Sequence, residues 1–330
     1  MQKSFLNNIL LILPLMLGAC IGKNEKDLST IQGINLVLTE NPKDTSALFA
    51  RAKFFVSQRK SDSAIIDLQH LIKIDSTKSA YFLLMGDVYL ATNRTRFTKQ
   101  ALEKAVKLSP NNVEAHMKLA ELYLYVEMRQ EALNEINAAL RLDQKYPKAY
   151  FLKGMIYKEI GDTSLAFSSF MTTIEQDPKS ALAYEQIGLL FAGRKDKRAI
   201  DYYQNALRID PKNSLTRYNL GMFYQETGSV AAAMEVYKEL ISIDPNYSDA
   251  YYNMGYIIYT QNKNIEKALE FFQKATITNP SYSEAFYMRG LCQEDLGKKE
   301  LAIIDYKESL RLSPKFDLPK NALIRLGVSL

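Results

Sequence analysis

A chain of 330 residues, 47% hydrophobic and 24% charged, has the balance of a folded protein and room for two ordinary domains or one long repeat array. The formal charge of +5 is thinly spread with no dense basic cluster, which gives no footing for a nucleic-acid interface. The two histidines, His70 and His116, have no cysteine or acidic cluster at metal-ligand spacing, so neither a metal nor another cofactor is expected.

The chain opens MQKSFLNNILLILPLMLGAC. Lys3 supplies a positive start, an apolar run from Ile9 to Leu17 follows, and small residues lead to a cysteine, which is the architecture of a secretory signal peptide. The run falls short of the ~20 residues a membrane-spanning helix needs, and Pro14 interrupts it. Leu17-Gly18-Ala19-Cys20 resembles the lipobox of bacterial lipoproteins. That resemblance implies removal of residues 1–19 and lipidation, palmitate included, of Cys20, with multiple acyl chains anchoring the mature protein firmly. Ile21 stands where some bacteria use aspartate for inner-membrane retention, so the expected location is the cell envelope, at the outer membrane. Residues 20–27 read as a polar tether. Cys20 being so used, Cys292 has no disulfide partner.

Residues 28–44 are expected to hold an N-terminal capping helix, built on LSTIQGINLVLTEN. Beyond it the prolines recur: Pro42, Pro110, Pro178, Pro211, Pro245, Pro280 and Pro314 fall at multiples of about 34, with Ser76 and Gln144 in the two gaps. Ten residues after each stands a small residue, such as Gly154, Gly188, Gly221, Gly255 or Gly290. Twelve residues before each stands another, such as Ala166, Ala199, Ala233, Ala268 or Ala302, and eight before, a large apolar one. Each unit thus holds two apolar-periodic segments long enough for helices, closed by a proline that cannot continue a helix.

This pattern, as in YNLGMFYQETGSVAAAMEVYKELISIDP from Tyr218 to Pro245, resembles the tetratricopeptide repeat (TPR) family. The resemblance implies an all-α fold, a right-handed superhelical α-solenoid of eight helix-turn-helix repeats over residues 45–316. The units run 45–78, 79–112, 113–146, 147–180, 181–213, 214–247, 248–282 and 283–316; the fifth lacks a residue and the seventh gains one, both expected in the turn between helices. Residues 317–330 are expected to form a C-terminal capping helix, its amphipathic part running from Asn321 to Leu330 after Pro319.

At about 100° per residue, positions 4, 7, 8 and 11 of a unit's first helix share one arc and pack on its partner. Positions 2, 5, 9, 12 and 13 share the opposite arc, which the resemblance assigns to a concave groove. In YYNMGYIIY, Tyr251 and Ile258 are therefore core, Gly255 is a close-approach site, and Tyr252, Tyr256 and Tyr259 face the groove. Tyr218 and Tyr287 repeat position 5, Met222 adds a soft side chain, and Asn219 and Asn253 at position 6 are candidates for holding a peptide backbone. Position 5 also fits packing between neighbouring first helices, since stacked repeats bury much of their faces. Groove positions of the early repeats, Lys53, Asp87, Glu121, Lys158 and Glu159, read as solvated charges.

The expected function is a non-catalytic scaffold, a lipid-anchored protein whose groove holds a segment of a protein partner in an envelope machine for secretion, motility, pilus or cell-wall assembly. The basic groove residues by which some relatives clamp a carboxylate tail are missing. No nucleophile–base pair or glycine-rich phosphate loop stands out, and the repeats leave no span for a catalytic domain, so no enzyme is expected. The alternative is a self-associating structural envelope protein, with ALIRLGVSL docking on another copy.

Overall fold

The computed structural model describes residues 28–329; the expected signal peptide, the expected lipidation site Cys20 and the expected tether lie outside them. Among the described residues there are eighteen α-helices, one π-helical turn and no strand, an all-α solenoid. No helix among them is long and apolar enough to cross a membrane. Two compact units divide the chain between Leu142 and Asp143.

The first unit holds α1 (Ile31–Glu40), α2 (Thr45–Ser57), α3 (Ser61–Ile74), α4 (Ser79–Ala91), α5 (Thr95–Leu108), α6 (Val113–Tyr125) and α7 (Arg129–Leu142). The second holds α8 (Pro147–Glu159), α9 (Thr163–Gln176), α10 (Ala181–Ala192), α11 (Arg198–Ile209), α12 (Ser214–Glu226) and α13 (Val230–Ile243). It continues with α14 (Ser248–Ile257), α15 (Ile265–Thr278), α16 (Ser283–Asp295), α17 (Lys299–Leu312) and α18 (Asp317–Arg325).

Local chemistry sets the boundaries. Asp44, Asn112 and Asn213 cap α2, α6 and α12, each accepting from a first-turn backbone N–H. Each turn within a pair carries one residue with positive φ: Arg59, Asn93, Glu127, Gly161, Lys195, Gly228, Lys263 and Gly297. That left-handed residue closes the first helix; at Lys60, for example, the backbone N–H reaches back to the Phe55 carbonyl at 2.8 Å.

The two odd repeat lengths are absorbed in different places from the expected turn. In the seventh repeat the extra residue widens the end of the first helix into a π-turn, Ile258–Asn262, and pushes the left-handed residue on to Lys263. In the fifth, the left-handed residue Lys195 keeps its register, and the lost residue comes from the start of α11, which has 12 residues where α9 and α13 have 14. Both solutions leave the core faces in phase.

Glycine at position 8 makes room for a ring. A Cβ on Gly154, Gly188, Gly221 or Gly290 would stand within 3 Å of Phe170, Tyr203, Tyr237 or Tyr306, each on the second helix of the same pair. Facing the aliphatic Leu68 and Ile136, alanine stands instead, as Ala52 and Ala120, whereas Gly86 makes the same room for Leu102. Position 7 departs from the apolar arc at the first, fourth and eighth repeats, and at the first and eighth an arginine stands there. There Arg51 grips Asp67 at 2.8 and 2.7 Å, and Arg289 grips Asp305 at 2.7 and 2.6 Å, bidentate pairs across the two helices with both carboxylates buried. His116 is also structural, its two ring nitrogens facing Glu135 at 2.6 Å and the Pro110 carbonyl at 2.9 Å.

At the ends, Thr30 caps α1, which buries Ile34, Val37 and Leu38 against the first repeats. The last helix starts earlier and stops sooner than the expected Asn321 to Leu330. Pro319 falls in its first turn, where a missing N–H costs nothing, and Gly327 with φ 77° ends it. Ala322 and Leu323 are buried with Ala302 and Tyr306, so this segment caps its own array, while Ile324 stays exposed.

Candidate functional site

The tyrosines of α14 separate by register. Tyr251 is buried at 9% exposure, while Tyr256 is exposed at 41%. Tyr252 is half-buried, its ring stacked on Tyr256 at 6.4 Å and on Tyr282 at 5.0 Å, with its edge against Phe272. Tyr259, in the π-turn, donates its hydroxyl to Asp295 at 2.8 Å, across to the eighth repeat.

The position-5 rings belong to a repeated arrangement. Tyr218 lies 6.2 Å from Tyr237 and 5.3 Å from Tyr247. Tyr252 lies 5.7 Å from Phe272 and 5.0 Å from Tyr282, and Tyr287 lies 5.7 Å from Tyr306 and 5.4 Å from Phe316. Each position-5 ring thus bridges its own second helix and the last residue of its repeat, which leads into the next first helix. Such offset and edge contacts contribute about 0.5–1.5 kcal/mol each beyond the area they bury. Each of these position-5 rings therefore serves the fold while part of it stays open to solvent.

Asn253 does not face outward. It is 7% exposed, and its amide nitrogen lies 3.2 Å from the Tyr237 hydroxyl, 3.2 Å from the Met222 sulfur and 3.3 Å from the Tyr218 hydroxyl. Its two hydrogens are consumed there, because a buried amide must pair within the protein. It is a tie between repeats six and seven, not a donor for a peptide backbone. Met222 and Asn219 are half-buried beside it.

Burial, then the nearby Glu284 carboxylate, pushes the Tyr252 hydroxyl up to about 12. Burial, then Asp249, does the same to Tyr247, also to about 12. Burial and the bond to Asp295 raise Tyr259. Cys292, fully buried at position 10 of the eighth repeat, has its thiol pushed up to about 12 by burial, so it behaves as a small hydrophobe.

Models described as tetratricopeptide repeat match residues 147–180, 202–235, 248–282 and 283–316, and one described as TPR repeat matches residues 224–262. The chain is a tetratricopeptide-repeat protein.

Among curated relatives of this TPR protein, the protein O-mannosyl-transferase TMTC3 of Homo sapiens is 27% identical over 193 residues, 57% of this chain and 21% of that protein. The BBSome complex member BBS4 of Bos taurus is 24% identical over 214 residues, 64% of this chain and 40% of that protein. The chain thus spans well under half the length of either. Among solved structures, the C-terminal part of a TPR repeat-containing protein from Cytophaga hutchinsonii aligns with a TM-score of 0.61 at 17% identity, over 72% of this chain and 98% of that one. PilW, a type IV pilus biogenesis factor, aligns with a TM-score of 0.52 at 19% identity, over 64% and 98%. These likenesses share the fold. TPR repeats imply a protein-interaction scaffold.

Two features of the TPR face escaped the sequence reading. Tyr247, Tyr282 and Phe316 supply the outer half of the aromatic contacts; their signal is recurrence at the last position of repeats six, seven and eight. The other is a set of carboxylates, Glu226, Asp249, Glu284 and Asp295, around the rings; their signal is an acid at position 2 of repeats seven and eight and at position 13 of repeats six and eight. In the earlier repeats the charged positions pair locally instead, as Lys118 does with Asp87 at 2.6 Å and Lys158 with Gln186 at 2.5 Å.

Proposed function

We propose that this TPR protein holds an extended segment of a partner protein along the tyrosine face of repeats six to eight, and does so at the bacterial cell envelope. The observation that carries the binding face is the Tyr252–Tyr256 pair. Two stacked rings, one of them 41% exposed, stand on a helix whose other side is fully packed. Rigid, amphipathic rings of this kind supply contact area at low entropic cost, and their hydroxyls tolerate a half-wet surface. Tyr218, Asn219, Met222, Tyr259 and Tyr287 extend the face on either side. The signal-like N-terminus and Cys20 motivate lipid anchoring, at the outer membrane, within a secretion, motility, pilus or cell-wall assembly. Scaffolding requires no chemistry from the chain, only pockets and backbone contacts.

A photo-crosslinker placed at position 256 in cells tests this reading. Capture of one discrete protein, lost when the crosslinker moves to the exposed position 66, is the expected result. Capture that is equal from both positions contradicts it. For the anchor, Cys20→Ser is expected to release the protein from the membrane fraction; unchanged fractionation contradicts it.

A further inference from the structure

The charge of the tyrosine face is opposite to that of the chain. Overall the sequence is +5, yet positions 2, 5, 9, 12 and 13 of repeats six to eight carry Glu226, Asp249, Glu284, Glu294 and Asp295 and no lysine or arginine. One of these acids is already neutralised: Arg325 reaches Glu294 at 2.7 Å. Asp295 is engaged by a neutral group, the Tyr259 hydroxyl, rather than by a cation. Among the described residues, Glu226, Asp249 and Glu284 make no ion pair with a lysine or arginine.

These carboxylates stand beside the rings. Asp249 hydrogen-bonds with Tyr282, and both it and Glu226 act on Tyr218, while Glu284 acts on Tyr252. The π-faces of Tyr252 and Tyr256, stacked 20° from parallel, add their own negative potential to the same place. A cation is the complement of such a surface, since ring faces and carboxylates both attract it and no lysine or arginine pairs with Glu226, Asp249 or Glu284 among the described residues.

We infer that this face selects a cationic segment: an extended stretch of partner polypeptide carrying lysine or arginine, whose heads lie over the exposed Tyr256 ring and among Glu226, Asp249 and Glu284. The inference rests on the tyrosine face being the binding face and adds the chemistry of what it takes. Opposite potentials set on-rate and partner choice more than raw affinity, so binding is fast and sensitive to salt.

The test uses the full chain and two dye-labelled synthetic peptides, one alternating lysine with serine and one alternating glutamate with serine, followed by fluorescence anisotropy. The lysine peptide is expected to bind at least about tenfold more tightly than the glutamate peptide, and to weaken severalfold as ionic strength rises from about 0.01 to about 0.15 M. Glu226→Gln with Glu284→Gln, neither of which touches the core, is expected to remove most of that preference, and Tyr256→Ala to weaken binding further. Equal affinity for both peptides, no binding of the lysine peptide, or full binding by the double glutamine variant overturns the inference. A glutamate peptide that binds more tightly and is lost with Tyr256→Ala overturns the cationic preference while leaving the tyrosine face intact as a binding face. Lysine-peptide binding insensitive to all three substitutions places the cation elsewhere and overturns the inference too. Salt-sensitive dimerisation of the chain itself, seen by sizing at low ionic strength and blocking peptide binding, assigns the face to a second copy and also overturns it.

Discussion

The ring of Tyr237 fills the space a side chain on Gly221 would need: a Cβ there would lie 2.5 Å from its Cε1. Tyr237 is completely buried and donates its hydroxyl to Gln225, so it cannot step aside. Gly221→Ala is therefore expected to cost about 1–3 kcal/mol through overpacking. Gly255→Ala meets Phe272 only at 3.0 Å and should cost less. Hydrogen exchange localised to repeats six and seven reads both, because a repeat array need not melt in one step. Equal effects of the two substitutions contradict the ring-fitting account.

The left-handed turn residues are a second test. Glu127 is exposed, with φ 59°. Glu127→Gly removes the Cβ conflict of that conformation, partly offset by the flexibility glycine adds to the unfolded chain. A net gain of about 0.5–1 kcal/mol in urea denaturation is expected. A loss would show that Glu127 contributes a contact the turn geometry does not reveal.

Asn253 and Tyr256 should behave oppositely although they are three residues apart. Asn253→Ala leaves the buried hydroxyls of Tyr218 and Tyr237 short of a partner, which costs about 1–3 kcal/mol. Tyr256→Ala, at an exposed position, is expected to stay within about 0.5 kcal/mol of the parent. Circular dichroism melts separate the two; a large loss from Tyr256→Ala would make that ring part of the fold.

Alkaline titration probes the same cluster. Tyr252 and Tyr247 ionise only near 12 in the fold, against about 10 in an unfolded chain. A raised folded-state value means the stability from keeping these hydroxyls neutral is fully present below about pH 10 and is lost as pH climbs towards 12. Tyrosinate absorbance is expected to lag the exposed tyrosines and then rise together with the loss of helicity. Ionisation of all the tyrosines with a midpoint near pH 10 and helicity intact would contradict the packing described for these rings, since about 10 is the value of a free tyrosine.

The repeat architecture was legible because the period, the position-8 glycines and the closing prolines are each set by a single local requirement. Tyr251 and Tyr256 sorted by helical angle alone for the same reason. Asn253 did not. Its angle lies between the arcs, and what buries it is Tyr237 reaching over from the preceding pair, a contact no single-helix projection contains. The indels were visible as lengths, but whether a residue goes into a π-turn or out of a helix start depends on which choice keeps Gly255 facing Phe272 and Gly188 facing Tyr203. The acids of the face were visible one by one; only the stacking of repeats gathers Glu226, Asp249 and Glu284 around shared rings.

The most direct measurement of the central claim is partner capture by the chain carrying Tyr252→Ala, Tyr256→Ala and Tyr259→Ala together, with helicity recorded on the same sample. Capture lost while the helical signal persists is the result expected of a binding face. Undiminished capture, or an array that melts with the three substitutions, would show that these tyrosines do not form one.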